Sequence, residues 1–263
     1  MLMGAVPADH ISAARSSFDT IFAGATQDFR AISLAETQRR AMRRVTESHD
    51  LTAGSISFEA MHTGLAAAHP PPHGVFVDLG SGVGCGVIAA ALLFGWSKCI
   101  GVELLEDLHN AALTAAERFE SLRRDLDRNT MLLQQRLIAR EVEFRCGDLF
   151  DLCLRGVDVV FCCCCSWAHD IMFRLAWKLA DELADGAGVL TVGRPLPHKV
   201  ELGANTITFK EIWHDMTTLD WGREVLVLHR VVHSSTRSQA PHLSPMPVVA
   251  VGIRQKRREC TLS

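Results

Sequence analysis

Residues 75–84 read Val75-Phe76-Val77-Asp78-Leu79-Gly80-Ser81-Gly82-Val83-Gly84. Three β-type residues lead into an acid, a loop with glycine at every second position follows, and a helical pattern begins at once over 85–96. This order predicts a strand, a tight turn and a helix N-terminus, which is the layout of a nucleotide-cofactor site in an open α/β sheet. The glycines allow the backbone to approach a ligand closely.

The acid at the mouth of the loop, Asp78, indicates which cofactor fits. A pyrophosphate bound at a helix N-terminus is anionic, so Asp78 would repel it, whereas it would attract the ammonium and sulfonium groups of S-adenosylmethionine (SAM). The spacing G-x-G-x-G-x-G also departs from the dinucleotide fingerprint G-x-G-x-x-G. We therefore expect SAM as the cofactor, and the alternatives are a dinucleotide or a purely structural glycine turn.

Composition limits the class of protein. The chain has 263 residues, 48% of them apolar and 22% charged, which suits one large α/β domain with short extensions. A net charge of −3 gives no global basic field for nucleic acid. The nine cysteines, four of them consecutive, suit no disulfide framework, and without a signal-peptide pattern we expect a reducing compartment. The longest apolar run, 83–96, is too short to span a bilayer.

Strand and helix patterns alternate after residue 75. We expect strands at 75–79, 98–103, 141–146, 157–163 and 188–193, helices near 84–95, 106–139 and 168–184, and a strand pair at 206–216 and 223–232 around the turn Asp220-Trp221-Gly222. Alternation implies a parallel sheet. With the antiparallel hairpin it gives a mostly parallel, seven-stranded α/β sheet, the Rossmann-like architecture of class I SAM-dependent methyltransferases. Ahead of it, Ser57 is expected to cap a helix over 58–68.

The chain divides into an N-terminal helical extension (1–50), a SAM-dependent methyltransferase domain (51–233) and a C-terminal tail (234–263). Within the extension we expect weak order or short helices up to residue 32 and a helix over 28–49. Basic residues cluster in that helix and at the end of the tail, namely Arg39, Arg40, Arg43, Arg44, Arg254, Lys256, Arg257 and Arg258. Such runs are typical of a solvated face, with a contact to an acidic partner as the alternative.

Acidic residues also follow the second and third predicted strands. Glu103 can accept both ribose hydroxyls of an adenosine lying across the sheet, although a glutamate there also suits the dipole of a following helix. Asp148 can bond the adenine amino group with Leu149 against the ring, although small Gly-Asp turns are common. The cofactor-binding residues expected in the sheet region are Asp78, Gly80, Ser81, Gly82, Gly84, Glu103, Leu104, Asp148 and Leu149.

Four cysteines, Cys162 to Cys165, end the fourth predicted strand and precede Ser166 and Trp167. Because neighbouring strand residues point to opposite faces, the four cannot all bind one metal, and no second pair lies at zinc spacing. Small apolar lining of the pocket is the main interpretation, and metal or redox use is the alternative. Trp167 is either core or an aromatic wall for a substrate. The histidines lack ligand spacing, so we expect no metal.

With these residues in view, the chain resembles the Dot1-like family of non-SET histone lysine methyltransferases (disruptors of telomeric silencing), and is nearest to its short protist and kinetoplastid form. The resemblance spans about 51–232. It is carried by Val77-Asp78-Leu79-Gly80-Ser81-Gly82-Val83-Gly84, Cys99-Ile100-Gly101-Val102-Glu103, Asn110-Ala111-Ala112, Gly147-Asp148-Leu149, Val159-Val160-Phe161, Arg194-Pro195-Leu196-Pro197 and Asp220-Trp221-Gly222. The first motif is shared by many methyltransferases, and only the ordered set points to this family.

The resemblance adds a loop ahead of the core, 52–57, which lies over the cofactor in family members and brings Thr52 and Gly54 to it. The chain departs from the family in two places. Ala53 and Ser55 stand where members usually carry an aromatic residue and a glutamate. An asparagine usual near Cys163 or Cys164 is absent, which removes a polar group near the reacting centre.

The family implies a nuclear enzyme whose substrate is a nucleosomal core lysine of histone H3. The expected step is an in-line methyl transfer, in which the protein mainly aligns the reactants. The attacking amine must be neutral, and burial beside a cation lowers a lysine pKa. Phe161, Cys163, Cys164 and Trp167 are the catalytic candidates because they are expected to line that channel, and no general base is implied.

Histone, nucleosome and DNA are therefore the expected partners, with the basic clusters as the DNA contact and no membrane association. Two other functions fit the core motifs. One is a methyltransferase for a small molecule or RNA, which the slightly acidic net charge favours and which would be cytoplasmic. The other is a SAM-binding scaffold whose fourth-strand changes have removed catalysis. The sequence does not indicate the oligomeric state.

Overall fold

The computed structural model describes residues 6–23, 56–128, 137–219 and 222–235. Several expectations fall outside these residues. They are the helix over 28–49 with its arginines, the loop residues Thr52 and Gly54, the turn residues Asp220 and Trp221, and the basic tail.

Eight strands of the described residues form one mixed sheet in the order β3-β2-β1-β4-β5-β8-β7-β6. The strands are β1 (Val75–Leu79), β2 (Lys98–Glu103), β3 (Val142–Cys146), β4 (Val159–Cys163), β5 (Gly188–Val192), β6 (Lys199–Leu202), β7 (Asn205–Leu219) and β8 (Gly222–Ser235). The first five pair in parallel and the last three are antiparallel. The order reverses between β1 and β4, and in such sheets ligands bind at that switch point beyond the carboxyl ends of the strands.

Helices cover both faces of the sheet. They are α1 (Ala8–Phe22), α2 (Phe58–Ala68), α3 (Cys85–Leu93), α4 (Glu106–Arg128) and α5 (His169–Glu182). The first four pack into one apolar cluster and α5 into a second cluster on the opposite face. This division follows from right-handed crossovers on either side of the switch point. Among the described residues no helix is long and apolar enough to cross a membrane.

Helix α3 lies at the centre of the larger cluster, and all nine of its residues are buried. Its sequence is apolar all round, which is the pattern of a helix with no solvent face. Helix α2 begins where the sequence predicts, because the Ser57 hydroxyl accepts a hydrogen bond from the Ala60 N–H (3.2 Å). Helix α1 joins this face through its buried His10, whose Nε2 lies 2.8 Å from the Leu92 carbonyl oxygen.

The predicted elements are confirmed in type from β1 to β8, with two corrections. The sheet has eight strands rather than seven, because the short edge strand β6 pairs with β7. Val200 is the one buried residue of this four-residue strand, so its sequence has too little apolar and polar alternation to predict a strand. The helix predicted over 106–139 is also too long: residues 137 and 138 form a turn and a bend, and Ile138 and Ala139 are buried against the core.

Candidate functional site

The glycine loop between β1 and α3 takes the conformation that its sequence requires. Gly80, Gly82 and Gly84 have φ values of 81°, 54° and 89°, in the left-handed region that residues with a Cβ rarely adopt. The N–H groups of Gly80 and Ser81 donate to the Val102 carbonyl oxygen at 2.9 and 3.0 Å. The loop is thereby tied to β2 beyond the carboxyl end of β1.

Space beneath the loop is closed by an aromatic ring that the sequence reading missed. A Cβ on Gly84 would lie 2.5 Å from the Phe144 ring, and one on Gly101 would lie 2.6 Å from the same ring. Phe144 is buried in the cluster under α3 and α4. Its position in β3, paired with Gly101, is a signal that can be found only once the strand register is known.

Glu103, at the end of β2, reaches back to the loop. One carboxylate oxygen accepts a hydrogen bond from the Gly82 N–H and the other from the Leu105 N–H, both at 2.8 Å. The side chain is 7% exposed. Glu103 therefore fixes the loop against the start of α4, and a carboxylate oxygen has lone pairs enough to accept a further hydroxyl.

The Asp78 carboxylate, unlike that of Glu103, has an oxygen without a hydrogen bond. It is 1% exposed, and its Oδ1 has no hydrogen-bond partner. Burial, and then the nearby charge of Glu103, raises the pKa of Asp78 well above its usual range. The buried Ser81 hydroxyl also lacks a partner. Two carboxylates and an unpaired hydroxyl beside a glycine loop fit a cationic ligand with hydroxyl groups, as SAM is, and would repel a pyrophosphate.

The loop after β3 stands next to that of Glu103. The Gly147 N–H donates to the Glu103 carbonyl oxygen (2.9 Å), and Asp148 caps the 3₁₀ turn Leu149–Asp151 by accepting the Phe150 N–H (2.9 Å). Asp148 is exposed and Leu149 is half-buried, so both stand at the surface beside the β2 loop. Leu104, which follows Glu103, is 40% exposed.

Phe161 is buried beneath Asp78. It pairs in register with Asp78, is 2% exposed, and its ring would be 3.4 Å from a Cβ on Gly86. It forms the floor under Asp78 and the N-terminus of α3. A Cβ on Gly86 would itself lie 2.4 Å from Asp78 Oδ2, so this glycine leaves the room that the carboxylate occupies.

The four cysteines divide between the two faces of the sheet. Cys162 and Cys164 are buried in the cluster with α5, whereas Cys163 and Cys165 are half-buried against the cluster with α3. The Cys164 thiol donates to the carbonyl oxygens of Val192 and Arg194, each at 3.3 Å. Among the described residues no group of three or more His, Cys, Asp or Glu side chains is arranged to hold a metal ion.

Trp167 closes the switch point from the β4 side. Its ring would be 3.3 Å from a Cβ on Gly80, so the indole lies over the glycine loop. The Trp167 N–H donates to the Cys164 carbonyl oxygen (3.2 Å), which places the ring by a turn at the end of the cysteine run. Asp78, Glu103 and Trp167 thus all border the glycine loop.

A cleft of about 270 Å³ between α2 and β7 was not foreseen from the sequence. Its walls include Glu59 and Thr63 on α2 and Trp213, Asp215 and Thr217 on β7. The alternation of these β7 residues is the signal that could have indicated a shared face. The cleft lies on the sheet face that carries Asp78, since Leu226 in its wall belongs to the cluster with α3.

A family model described as the histone methylation protein DOT1 matches residues 31–216, more than two thirds of the chain. The chain belongs to this family. The match confirms the resemblance, and with it a SAM-dependent methyltransferase that uses SAM as its cofactor. The fold class is confirmed as well, because a Rossmann-like sheet with an antiparallel hairpin is what the structure contains.

Several solved structures are similar to the DOT1-family chain. They include an RNA methyltransferase from Salinibacter ruber in complex with S-adenosyl-L-homocysteine (21% identity, 71% of this chain, 99% of that chain, TM-score 0.43), TrmN from Thermus thermophilus (15%, 74%, 52%, 0.45) and phosphoethanolamine N-methyltransferase 1 from Haemonchus contortus (12%, 88%, 52%, 0.47). At these values the likenesses carry no argument about activity. No curated protein sequence matches the chain significantly.

Proposed function

We propose that this DOT1-family protein transfers a methyl group from SAM to a lysine amine of a histone, and that the substrate is a core lysine of histone H3 in the nucleosome. The observation that carries the site is the buried Asp78 carboxylate beside Glu103 at the switch point, whose Oδ1 has no hydrogen-bond partner. The histone substrate is supported by the family, and the nucleus would then be the site of action.

The residues proposed to hold the cofactor belong to the glycine loop and its flanking acid, to the segments that follow β2 and β3, and to the segment before α2. They are Asp78, Gly80, Ser81, Gly82, Gly84, Glu103, Leu104, Asp148 and Leu149, with Thr52 and Gly54 added from the loop before α2. When bound, SAM supplies an electrophilic methyl group on a sulfonium. Asp78 and Ser81 offer unpaired polar atoms to a cation, and Glu103 and Asp148 offer carboxylate oxygens to hydroxyl and amino groups.

The chain's part in the reaction is to exclude water and keep the attacking amine neutral. The Trp167 ring covers the loop, and Phe161 and the buried thiols give its surroundings low polarity. A lysine amine brought into such surroundings has a lowered pKa, because burial disfavours its charged form. Alignment of the reactants then supplies most of the rate. No described side chain is assigned as a general base.

Family members usually carry an asparagine near Cys163 or Cys164. Cys164 points into the cluster with α5 and its thiol is engaged by backbone carbonyl groups. Cys163 faces the side of Asp78 and offers a weak thiol in place of an amide. We therefore expect slow transfer in this chain, and faster transfer when Cys163→Asn restores an amide on that face.

The cleft between α2 and β7 suits the polypeptide on either side of the acceptor lysine. Leu226 in its wall pairs with Val192, which pairs with Cys163, so the cleft lies two strand spacings, roughly 10 Å, from the end of β4. An extended peptide covers that distance in about three residues. The Trp213 ring and the exposed Asp215 carboxylate in the wall of the cleft suit the long basic side chains of a histone.

One labelling experiment decides among the possible substrates. The protein is incubated with methyl-labelled SAM and with nucleosomes, free histones, total RNA or buffer. We expect label on nucleosomal histone. Label on RNA alone would replace the proposal with the RNA enzyme, and SAM binding without label anywhere would support the scaffold.

Two variants link that experiment to the site. Glu103→Ala should abolish the label together with SAM binding, whereas Asp215→Asn should raise KM for nucleosomes and leave the SAM affinity unchanged. Glu201→Ala, an exposed change on the edge strand β6, is the control for both.

The domain limits expected from the sequence are part of the same proposal. Residues 51–233 form the methyltransferase domain, and the flanking segments 1–50 and 234–263 bring their basic clusters to nucleosomal DNA. Each arginine or lysine that contacts a phosphate adds to the salt dependence of binding. Nucleosome affinity should therefore fall with salt more steeply than the affinity for free histone.

A further inference from the structure

Two half-buried thiols at the end of β4, those of Cys163 and Cys165, lie on the same face of the sheet. In an extended strand such residues are roughly 6.6 Å apart along the chain. Here β4 ends at Cys163 and the chain turns over Cys165 and Ser166, so that both side chains pack against the cluster with α3 and the Cys165 thiol reaches the backbone of Val192, the strand partner of Cys163. They form a dithiol on one face of the sheet.

The surroundings of Cys165 leave room for this arrangement. A Cβ on Gly193, at the end of β5, would lie 2.6 Å from the Cys165 sulfur and 2.8 Å from its Cα, and Gly193 has a φ of 87°. Only a glycine therefore admits the thiol at this place. The Cys165 sulfur also lies 3.5 Å from the Val192 carbonyl oxygen.

The other cysteine pair differs in access. Cys162 and Cys164 share the opposite face, but both have no exposed surface, and Cys164 donates to two carbonyl oxygens. Cys163 and Cys165 are half-buried and so can be reached from the cofactor face. The neighbouring Cys165 thiol, and then burial, raises the pKa of Cys163, so this thiol is protonated at neutral pH and reacts slowly with simple alkylating reagents.

We propose that Cys163 and Cys165 form a binding site for a thiophilic, trivalent metalloid centre of the arsenic(III) type. Such a centre takes two sulfur ligands and one further substituent, so it needs no third protein ligand. Soft sulfur ligands select soft ions, and no described set of three ligands competes for them here.

The binding step balances without an oxidant. With an arylarsenic oxide, two arsenic–sulfur bonds form and the bonds between arsenic and oxygen break. The two thiol protons leave with that oxygen as one water molecule. Arsenic and sulfur keep their oxidation states. A dithiol adduct of this kind is displaced by an excess of small dithiol, but not by a monothiol at the same concentration.

The test uses the full chain and phenylarsine oxide, with intact mass as the readout. We expect one phenylarsenic group per chain, removed by 2,3-dimercaptopropanol and retained in an equal concentration of 2-mercaptoethanol. Cys163→Ser and Cys165→Ser should each lose the adduct. Cys146→Ser and Cys153→Ser, which change single cysteines outside the run, should keep it.

Thermal melting checks that each variant is folded. Where a serine variant is not folded, Cys163→Ala or Cys165→Ala takes its place. An adduct that persists in both single variants, or a wild-type chain that takes up none, would overturn the proposal. Because binding is read by mass alone, the outcome is independent of the methyltransferase assays.

Discussion

Asp78 and Glu103 place two carboxylates on the same face of the sheet, but only Glu103 has backbone donors for both of its oxygens. Asp78 pairs in register with Gly101, and Glu103 stands two residues further along β2, at its end. Glu103 accepts from Gly82 and Leu105, whereas Asp78 Oδ1 is buried without a partner. The Glu103 carboxylate holds the loop, and we propose that the Asp78 carboxylate binds the ligand.

Asp78→Asn separates ligand binding from folding. The substitution keeps the size of the side chain and removes the charge, so SAM affinity should fall by about 10- to 100-fold, the usual range for a lost charge-assisted hydrogen bond. Isothermal titration with SAM and with S-adenosylhomocysteine measures the loss. Glu201→Ala should titrate like the wild type. An Asp78→Asn protein with undiminished affinity would remove Asp78 from the site.

The same carboxyl group makes cofactor binding depend on pH. Burial and then the charge of Glu103 raise the pKa of Asp78 in the free protein, and a bound cation favours its ionised form. SAM affinity should therefore fall as the pH is lowered through that raised pKa, by at most about tenfold per pH unit. Titrations across a pH series measure the slope. In Asp78→Asn the slope should be absent.

The stability of the cofactor-free protein should, in contrast to its affinity for SAM, fall as the pH rises. A pKa that is higher in the folded than in the unfolded state means that ionisation costs folded stability as the pH rises from about 3.8 towards the folded-state pKa. Over that pH range the free energy of unfolding of Asp78→Asn should therefore increase relative to that of the wild type. Urea unfolding at several pH values checks this. A difference that shrinks with pH would contradict the raised pKa.

Gly86→Ala should damage the site through packing alone. The new Cβ would lie 2.4 Å from Asp78 Oδ2 in a helix with no exposed residue, and overpacking of this kind costs about 1–3 kcal/mol. Gly147→Ala is the matched control, because a Cβ there has nothing within 4 Å. Thermal or urea unfolding compares the two. Equal stability of the two variants would mean that Asp78 can move aside without cost.

Much of this site could be predicted because its signals are local. The glycine loop, Asp78 and Glu103 occupy fixed positions relative to strands whose apolar runs are unmistakable, and parallel strands bring their carboxyl ends to one edge. The Ser57 cap depends on a side chain and its own helix start. In each case the residue and its structural partner lie in one short segment or at the end of a predictable strand.

Features that depend on register or on distant packing could not be predicted. Phe144 reaches Gly84 only because β3 pairs with β2 at Gly101. The cleft at Asp215 requires α2 to lie against β7, which no local pattern of either segment specifies. Phe161 was predicted as a channel residue from its motif alone, and its burial beneath Asp78 is seen only once the register of β1 and β4 is known.

Trp167 provides the last prediction, which concerns transfer rather than binding. The indole lies over Gly80 at the switch point, where it would exclude water and fix the approach of the acceptor. Trp167→Ala should lower kcat by on the order of 100-fold, the cost of a reactant misplaced by about 1 Å, while SAM affinity changes by less than a few-fold. Single-turnover assays with nucleosomes separate kcat from binding. Trp177→Ala, which removes a half-exposed tryptophan on α5, is the control. Equal losses in the two variants would show that the Trp167 effect is one of general stability, whereas a loss confined to Trp167→Ala and partly restored in Trp167→Phe would show that an aromatic wall at this position is what the reaction needs.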